Sequence, residues 1–261
     1  MGRIALQLWT VRDALDRDFA GTIRKVAAAG YQGIEGGGTG PLSEKDYLAL
    51  MRELKIANMG AHVGLEEFAG DKLERALDYH RRLGVKYLGY SHWEPRMNAD
   101  TWKRIAAPMN RVGRAAKARG MVFQYHNHAH EFVKYGKRNA LEILLAESDP
   151  AVVKSQLDLG WVVRAGEDAV AWMKKLGRRI ATVHLKDTTV VPKAPPGAPK
   201  SRAHHKPQWT EVGTGILPLK GVVAMARKLK VPWYIVEQDS WTIPSVKSAA
   251  ISYRNAKKAI G

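Results

Sequence analysis

Ile180–Ala181–Thr182–Val183–His184 is the stretch on which the fold turns: four residues suited to a buried strand, closing on an imidazole. Two further segments repeat the form. Val152–Val153–Lys154–Ser155–Gln156–Leu157 runs into Asp158, and Trp233–Tyr234–Ile235–Val236 runs into Glu237. Short apolar, β-branched runs of this length read as buried strands. A carboxylate, an imidazole and a second carboxylate at the C-terminal tips of separate parallel strands are how a barrel enzyme gathers a site from distant sequence. Such oxygen and nitrogen donors suit one divalent metal ion, Mn, Co, Mg or Zn.

Working outward, strand-like runs are predicted near residues 4–9, 31–35, 57–62, 85–90, 121–126, 152–157, 180–184 and 233–237. Helical patterns lie between them, for example at 19–29, 43–54, 65–83, 101–119 and 217–229. Gly30, Gly84, Gly120 and Gly177 each follow a helical stretch and precede a strand or its lead-in, the position of a helix-terminating glycine. Eight βα units of about thirty residues make a (β/α)8 TIM barrel, one domain over residues 1–261. An open doubly wound sheet is the runner-up, but no Gly-rich phosphate loop follows the first strand, and Gly36–Gly37–Gly38 is a lone run. Residues 188–210 break the rhythm with Pro192, Pro195, Pro196, Pro199 and Pro207 among lysines and histidines. Leaving the same face as His184, a loop this long reads as a lid or a surface excursion.

Composition narrows the function. The 45% hydrophobic content supports a sizeable core. No run approaches the roughly eighteen apolar residues of a membrane span. Cysteine is absent, so disulfides and thiolate sites are excluded and any metal must sit on His, Asp, Glu or amide oxygens. That fits a cytoplasmic enzyme, and with a strand expected from Ile4 no signal peptide is visible, a pattern equally compatible with a removed leader. The net charge of +17 could draw anionic substrates or nucleic acid. The basic residues are scattered over helices, as in Arg81–Arg82 and Arg178–Arg179, which favours solvated helix faces.

The chemistry-bearing residues extend beyond Asp158, His184 and Glu237. Lys186 follows His184 closely and could steady an enolate oxygen or shuttle a proton if burial and a metal lower its pKa. Asp187 reads as a loop cap. His126–Asn127–His128–Ala129–His130–Glu131 closes strand five, and one parity of that strand faces the lumen. His126 and His128 share that parity with Gln124, so His126 and Gln124 are expected to reach metal or substrate. His126, His128, Lys186 and Glu237 are the expected proton-transfer groups. Trp9, Glu35, His62, Asn127, Glu131 and Trp161 are the expected substrate-binding set, Asn127 for a hydroxyl and Glu131 to fix a neighbour. Trp93 and Trp241 could also line the pocket, aromatic faces stacking on sugars. His80, within a helix, reads as structural.

These residues resemble the xylose isomerase-like sugar phosphate isomerase/epimerase superfamily, the barrel clan that includes endonuclease IV. The carriers run nearly end to end: Leu6–Gln7–Leu8–Trp9–Thr10–Val11–Arg12–Asp13, Gly30–Tyr31–Gln32–Gly33–Ile34–Glu35, Ala61–His62–Val63–Gly64, Tyr125–His126–Asn127–His128 with Glu131–Phe132, Leu157–Asp158–Leu159–Gly160–Trp161, Val183–His184–Leu185–Lys186–Asp187, Glu211–Val212–Gly213–Thr214–Gly215 and Val236–Glu237–Gln238–Asp239. The resemblance implies a (β/α)8 fold, one divalent metal, a sugar or polyol substrate, and Asp158, His184 and Glu237 as ligands. Clan members are often dimers or tetramers, so a homo-oligomer is compatible with it. Ketose epimerases of the clan carry a metal-binding Glu three residues before an Asn. Here Gln124 stands in that place before Asn127, with His126, Glu131 and Glu35 as alternative fourth ligands. A neutral amide cannot be the second base of two-Glu epimerisation. The His-Asn-His form resembles the branch of inosose dehydratase-like proteins and 3-keto-glycoside lyases or hydrolases.

The leading expectation is therefore a metal-dependent isomerase, epimerase or lyase on a sugar or keto-sugar, working through proton abstraction beside a carbonyl. An endonuclease IV-like phosphodiesterase is the alternative that the charge favours, but Leu159–Gly160–Trp161–Val162 supplies no further ligands. A non-catalytic sugar-binding barrel is the third reading.

Overall fold

A computed structural model describes residues 2–94, 97–190 and 209–261. Eight parallel strands close into a barrel: β1 (Arg3–Gln7), β2 (Gly33–Gly36), β3 (Ala57–His62), β4 (Tyr87–Tyr90), β5 (Val122–His126), β6 (Val153–Asp158), β7 (Ile180–Leu185) and β8 (Trp233–Val236). Each pairs with its sequence neighbours, and β1 closes on β8 with Arg3 beside Trp233. This is the (β/α)8 architecture expected from the strand–helix alternation.

Boundaries differ where local chemistry intervenes. The first strand stops at Gln7, and Leu8–Val11 forms a 3-10 turn because the Gln7 side chain accepts from Trp9 N at 3.0 Å. The helix expected over 65–83 divides into Leu65–Phe68 and Lys72–Arg82, with Gly70 between them at φ 55°. That over 101–119 divides into Ala99–Arg104 and Ala106–Ala118; Pro108 has no N–H to return to the carbonyl of Arg104. The last of these patterns begins at Leu219 rather than 217. Gly84 (φ 84°) and Gly120 (φ 70°) end helices as expected.

Strand alternation sorts the side chains into two cores. The larger fills the space between barrel and helices and includes Leu6, Ile34, Leu88, Phe123, Leu157, Val183 and Val236. A smaller one of Ala5, Met59, Trp233 and Ile235 plugs the N-terminal end of the lumen. Above that plug the lumen turns polar, and glycine makes the room. A Cβ at Gly60 would meet Glu35 Oε1 at 2.9 Å, and one at Gly89 would meet His62 Cδ2 at 2.6 Å. Among the described residues no helix is long and apolar enough to cross a membrane.

The segment following β7 is tied down by Asp187. Its buried carboxylate accepts from the backbone N–H groups of Thr188, Gly213, Gly215 and Leu217, and Asp187–Thr188 pairs with Trp209–Thr210. This is the loop-capping role expected of it. Most of the Pro- and Lys-rich stretch read as a lid, residues 191–208, lies outside the described residues.

Candidate active site

The polar side chains gather at the C-terminal mouth, where the βα connections leave the strands. Asp158 ends β6 directly beside His184 of β7, and His184 pairs with Ile235, two residues below Glu237. The three therefore share the inward parity. His184 Nδ1 lies 3.0 Å from Glu237 Oε2 and 3.7 Å from Asp158 Oδ2, and His126 Nε2 lies 3.9 Å from the same Asp158 oxygen. One ligand atom from each of His126, Asp158, His184 and Glu237 falls within 4.8 Å of the others, and all four residues are buried.

These groups fit a divalent cation on their own geometry. Asp158 Oδ1 caps the helix Leu159–Arg164 by accepting from Trp161 N at 2.8 Å. Its Oδ2 is buried and accepts no hydrogen bond from any described residue. The Lys186 ammonium lies 3.7 Å from it, beyond hydrogen-bond reach, so this anionic oxygen in a low-dielectric site keeps its accepting capacity for a metal ion. Two imidazoles and two carboxylates form a donor set that zinc, cobalt, iron and manganese accept. Gln124, expected as the fourth ligand, sits one inward step deeper, with its Oε1 taken by the Thr182 hydroxyl at 2.9 Å. His126 occupies the corresponding place in the cluster.

Lys186, expected from the sequence, lies at the centre of the acidic cluster. It is 1% exposed, with Nζ 2.9 Å from Asp239 Oδ1, 3.0 Å from Glu237 Oε2 and 3.7 Å from Asp158 Oδ2. Burial works against the ammonium, but Asp239, Glu237 and Asp158 outweigh it and raise Lys186 above its usual range. With these three carboxylates around it the side chain is held as the ammonium, and the expected lowering would need a metal ion to draw their charge away. Burial and the approach of His184 push His126 well below the imidazole range, and burial with Lys186 does the same to His128. His184 goes the other way: burial is overcome by Glu35 and by hydrogen bonds to Glu237 and Glu35, pushing it up to about 10. His128 Nδ1 is buried with no partner among the described residues, and its ring leans on Trp161 at 5.3 Å.

Several of the residues expected to bind substrate make hydrogen bonds within the barrel. Glu35 is fully buried and holds His184 Nε2 at 2.8 Å, out of reach of the mouth. The Asn127 amide grips the backbone of Asp158 at both ends, at 3.0 and 3.3 Å. Glu131 is fully buried and accepts from Tyr125 OH and His128 N, so it fixes the His128 backbone. His62 is partly exposed, with Nε2 directed at Gln156 Oε1 at 2.7 Å. Trp9 stays on the rim, 53% exposed, with the Arg12 guanidinium between its ring and Trp241. Trp93 is also exposed, and His80 is buried against Phe68 and Tyr79.

Sequence reasoning missed Asp239 and Trp209. Asp239 follows Glu237 by two residues and so shares its parity, a signal present in the chain. Trp209 packs edge-on against Trp161 at 4.7 Å, with Lys186 Nζ 5.1 and 4.8 Å from the two rings. Nothing local marks it.

The start of the helix after Asp158 is tightly fitted. A Cβ at Gly160 would lie 2.5 Å from the Lys186 carbonyl oxygen and 2.7 Å from Lys186 Cβ. Gly160→Ala is therefore expected to destabilise the protein by about 1–3 kcal/mol in urea unfolding. A midpoint unchanged from wild type would show that this contact relaxes freely.

Comparison with known proteins places this geometry. An inosose dehydratase from Mesomycoplasma hyopneumoniae is 30% identical over 212 residues, 70% of this chain and 68% of that protein. Among solved structures, a sugar phosphate isomerase/epimerase from Parabacteroides distasonis superposes with TM-score 0.80 at 21% identity, covering 100% of this chain and 96% of that one. The zinc-containing IolI protein superposes with TM-score 0.75 at 13% identity, covering 99% and 98%. The xylose isomerase-like TIM barrel family matches residues 23–254. With the closed barrel and the polar mouth already in place, that match over most of its length means the chain belongs to the xylose isomerase-like TIM barrel family.

Proposed function

We propose that the protein is a divalent-metal-dependent enzyme that removes the proton beside the carbonyl of a keto-sugar, most directly as a lyase expelling the β-oxygen. One observation carries the reading: a neutral imidazole, His128, and a locked ammonium, Lys186, converge on Trp161 beside the cluster of His126, Asp158, His184 and Glu237. Those four residues would hold the ion. When bound, it would polarise a carbonyl and an adjacent hydroxyl as a Lewis acid.

The chain's own groups divide the remaining work. His128 takes the proton from the carbon beside the carbonyl, and the C–H electron pair moves into an enolate. Lys186, unable to release its proton readily, stabilises the growing negative charge on oxygen. The His128 imidazolium then gives its proton to the departing β-oxygen, so water leaves and the base is restored. Trp9 and Trp161 offer apolar faces to the sugar ring. Isomerisation shares the enolate and differs only in where the proton returns. The inosose dehydratase relatives favour elimination, and Gln124 in place of a carboxylate disfavours two-Glu epimerisation.

The test incubates the protein with an inosose in deuterium oxide and follows the carbon next to the carbonyl by NMR. Deuterium should enter there, stop after chelation, and resume on adding zinc, cobalt or manganese. Exchange that ignores the chelator, or none with any keto-sugar tried, would sink the proposal.

A further inference from the structure

Beneath the ligand cluster lies a hydrogen-bonded layer drawn from six of the eight strands. Glu35 of β2 is its centre. Oε1 accepts from Gln156 Nε2 at 2.6 Å; Oε2 accepts from His184 Nε2 at 2.8 Å and Gln7 Nε2 at 3.1 Å, with His62 Nε2 at 3.2 Å. An ionised carboxylate only accepts, so Gln156, His184 and Gln7 must each turn a proton toward it, while His62 lies alongside. The neighbours' roles then follow in sequence. With its NH2 spent on Glu35, Gln156 must present Oε1 to His62, which therefore carries its proton on Nε2. The same NH2 donates to Thr182 Oγ1 at 3.2 Å, so the Thr182 hydroxyl proton goes to Gln124 Oε1 at 2.9 Å. Gln124 is left offering a donor, and its Nε2 has no partner among the described residues.

We propose that Glu35 is the positioning residue of this centre: it sets the direction of every hydrogen bond in the layer and so fixes His184 to offer Nδ1 to a metal ion and Gln124 to offer a donor rather than a ligand oxygen. The inference rests on the metal-dependent reading above. A carboxylate behind a ligating imidazole fixes the tautomer and ring orientation, and its loss costs about 10–100-fold in metal affinity. Here the carboxylate also reaches β5 through Gln156 and Thr182, which explains why Gln124 is unavailable as the fourth ligand.

The experiment measures zinc affinity by competition with a chromophoric chelator and records the visible spectrum of the cobalt form. It compares wild type with Glu35→Gln, Glu35→Asp and Gln156→Met. Glu35→Gln is expected to weaken zinc about 10–100-fold and to alter the cobalt spectrum. Glu35→Asp keeps the charge but withdraws it from His184, and should show the same change if Glu35→Gln fails to fold. Gln156→Met, which leaves the Glu35–His184 contact, should weaken zinc less than either. Wild-type affinity and spectrum in both Glu35 variants would overturn the proposal while leaving the metal reading intact. A wild-type protein that binds neither ion would remove the metal reading, and this inference with it.

Discussion

Glu237→Gln should lower turnover and solvent-deuterium exchange about 10²–10³-fold, the range associated with losing one preorganised electrostatic group at a reacting centre. The substitution preserves size and removes one charge where several interactions meet. Glu237 Oε2 lies 3.0 Å from both His184 Nδ1 and Lys186 Nζ, so one oxygen links the imidazole expected to bind metal with the ammonium expected to steady the enolate. An amide in its place loses the anionic ligand, and its NH2 would face a cation. Burial opposes the Glu237 charge, but Lys186 and His184 hold its carboxyl well below the usual range, so the site is built around the ionised form. Elemental analysis of the purified variant should show reduced metal, and steady-state kinetics a fall in kcat larger than any rise in KM. Exchange at the wild-type rate would remove Glu237 from the chemistry.

Lys186→Met should have the largest effect on stability, about 3–5 kcal/mol in chemical denaturation, the cost of breaking a buried charge pair from one side. Asp158 and Glu237 would remain buried, and Asp239 half-buried, with their shared ammonium gone. The loss should shrink as pH falls from 8 toward 5. Burial already pushes Asp158 up to about 6, above the ordinary 3.8 of an unfolded aspartate. The folded state therefore takes up that proton first, and lowering the pH through this window favours folding. Zinc or cobalt should restore part of the loss by supplying positive charge to the same carboxylates. A variant within 1 kcal/mol of wild type at pH 8 would mean that the three acids do not repel one another as drawn.

What was legible in the chain was governed by local periodicity. Alternation along strands of four to six residues sends Asp158, His184 and Glu237 inward whatever surrounds them, each within one residue of its strand's end. The same alternation could not choose between Gln124 and His126, which share a face two residues apart; the strand register puts one in the ligand cluster and the other in the layer below. Nor could it separate Asn127, which spends its hydrogen bonds on the Asp158 backbone, from Glu131, which divides its own between the Tyr125 hydroxyl and the His128 N–H. Glu35 was recognisable as a buried acid at a strand end, but its partners come from β1, β3, β6 and β7.

By itself, then, the amino-acid order determined the barrel, the end at which its chemistry gathers and three of the polar groups pointing there, because these depend on repeats of two and of about 3.6 residues. The tertiary structure alone decided that three carboxylates raise Lys186, that burial beside Lys186 lowers His128 and that His126 joins the cluster. Those outcomes depend on Coulomb terms and desolvation between groups such as Lys186 and Asp239, 53 positions apart in the chain, and such distances exist only once the barrel has closed.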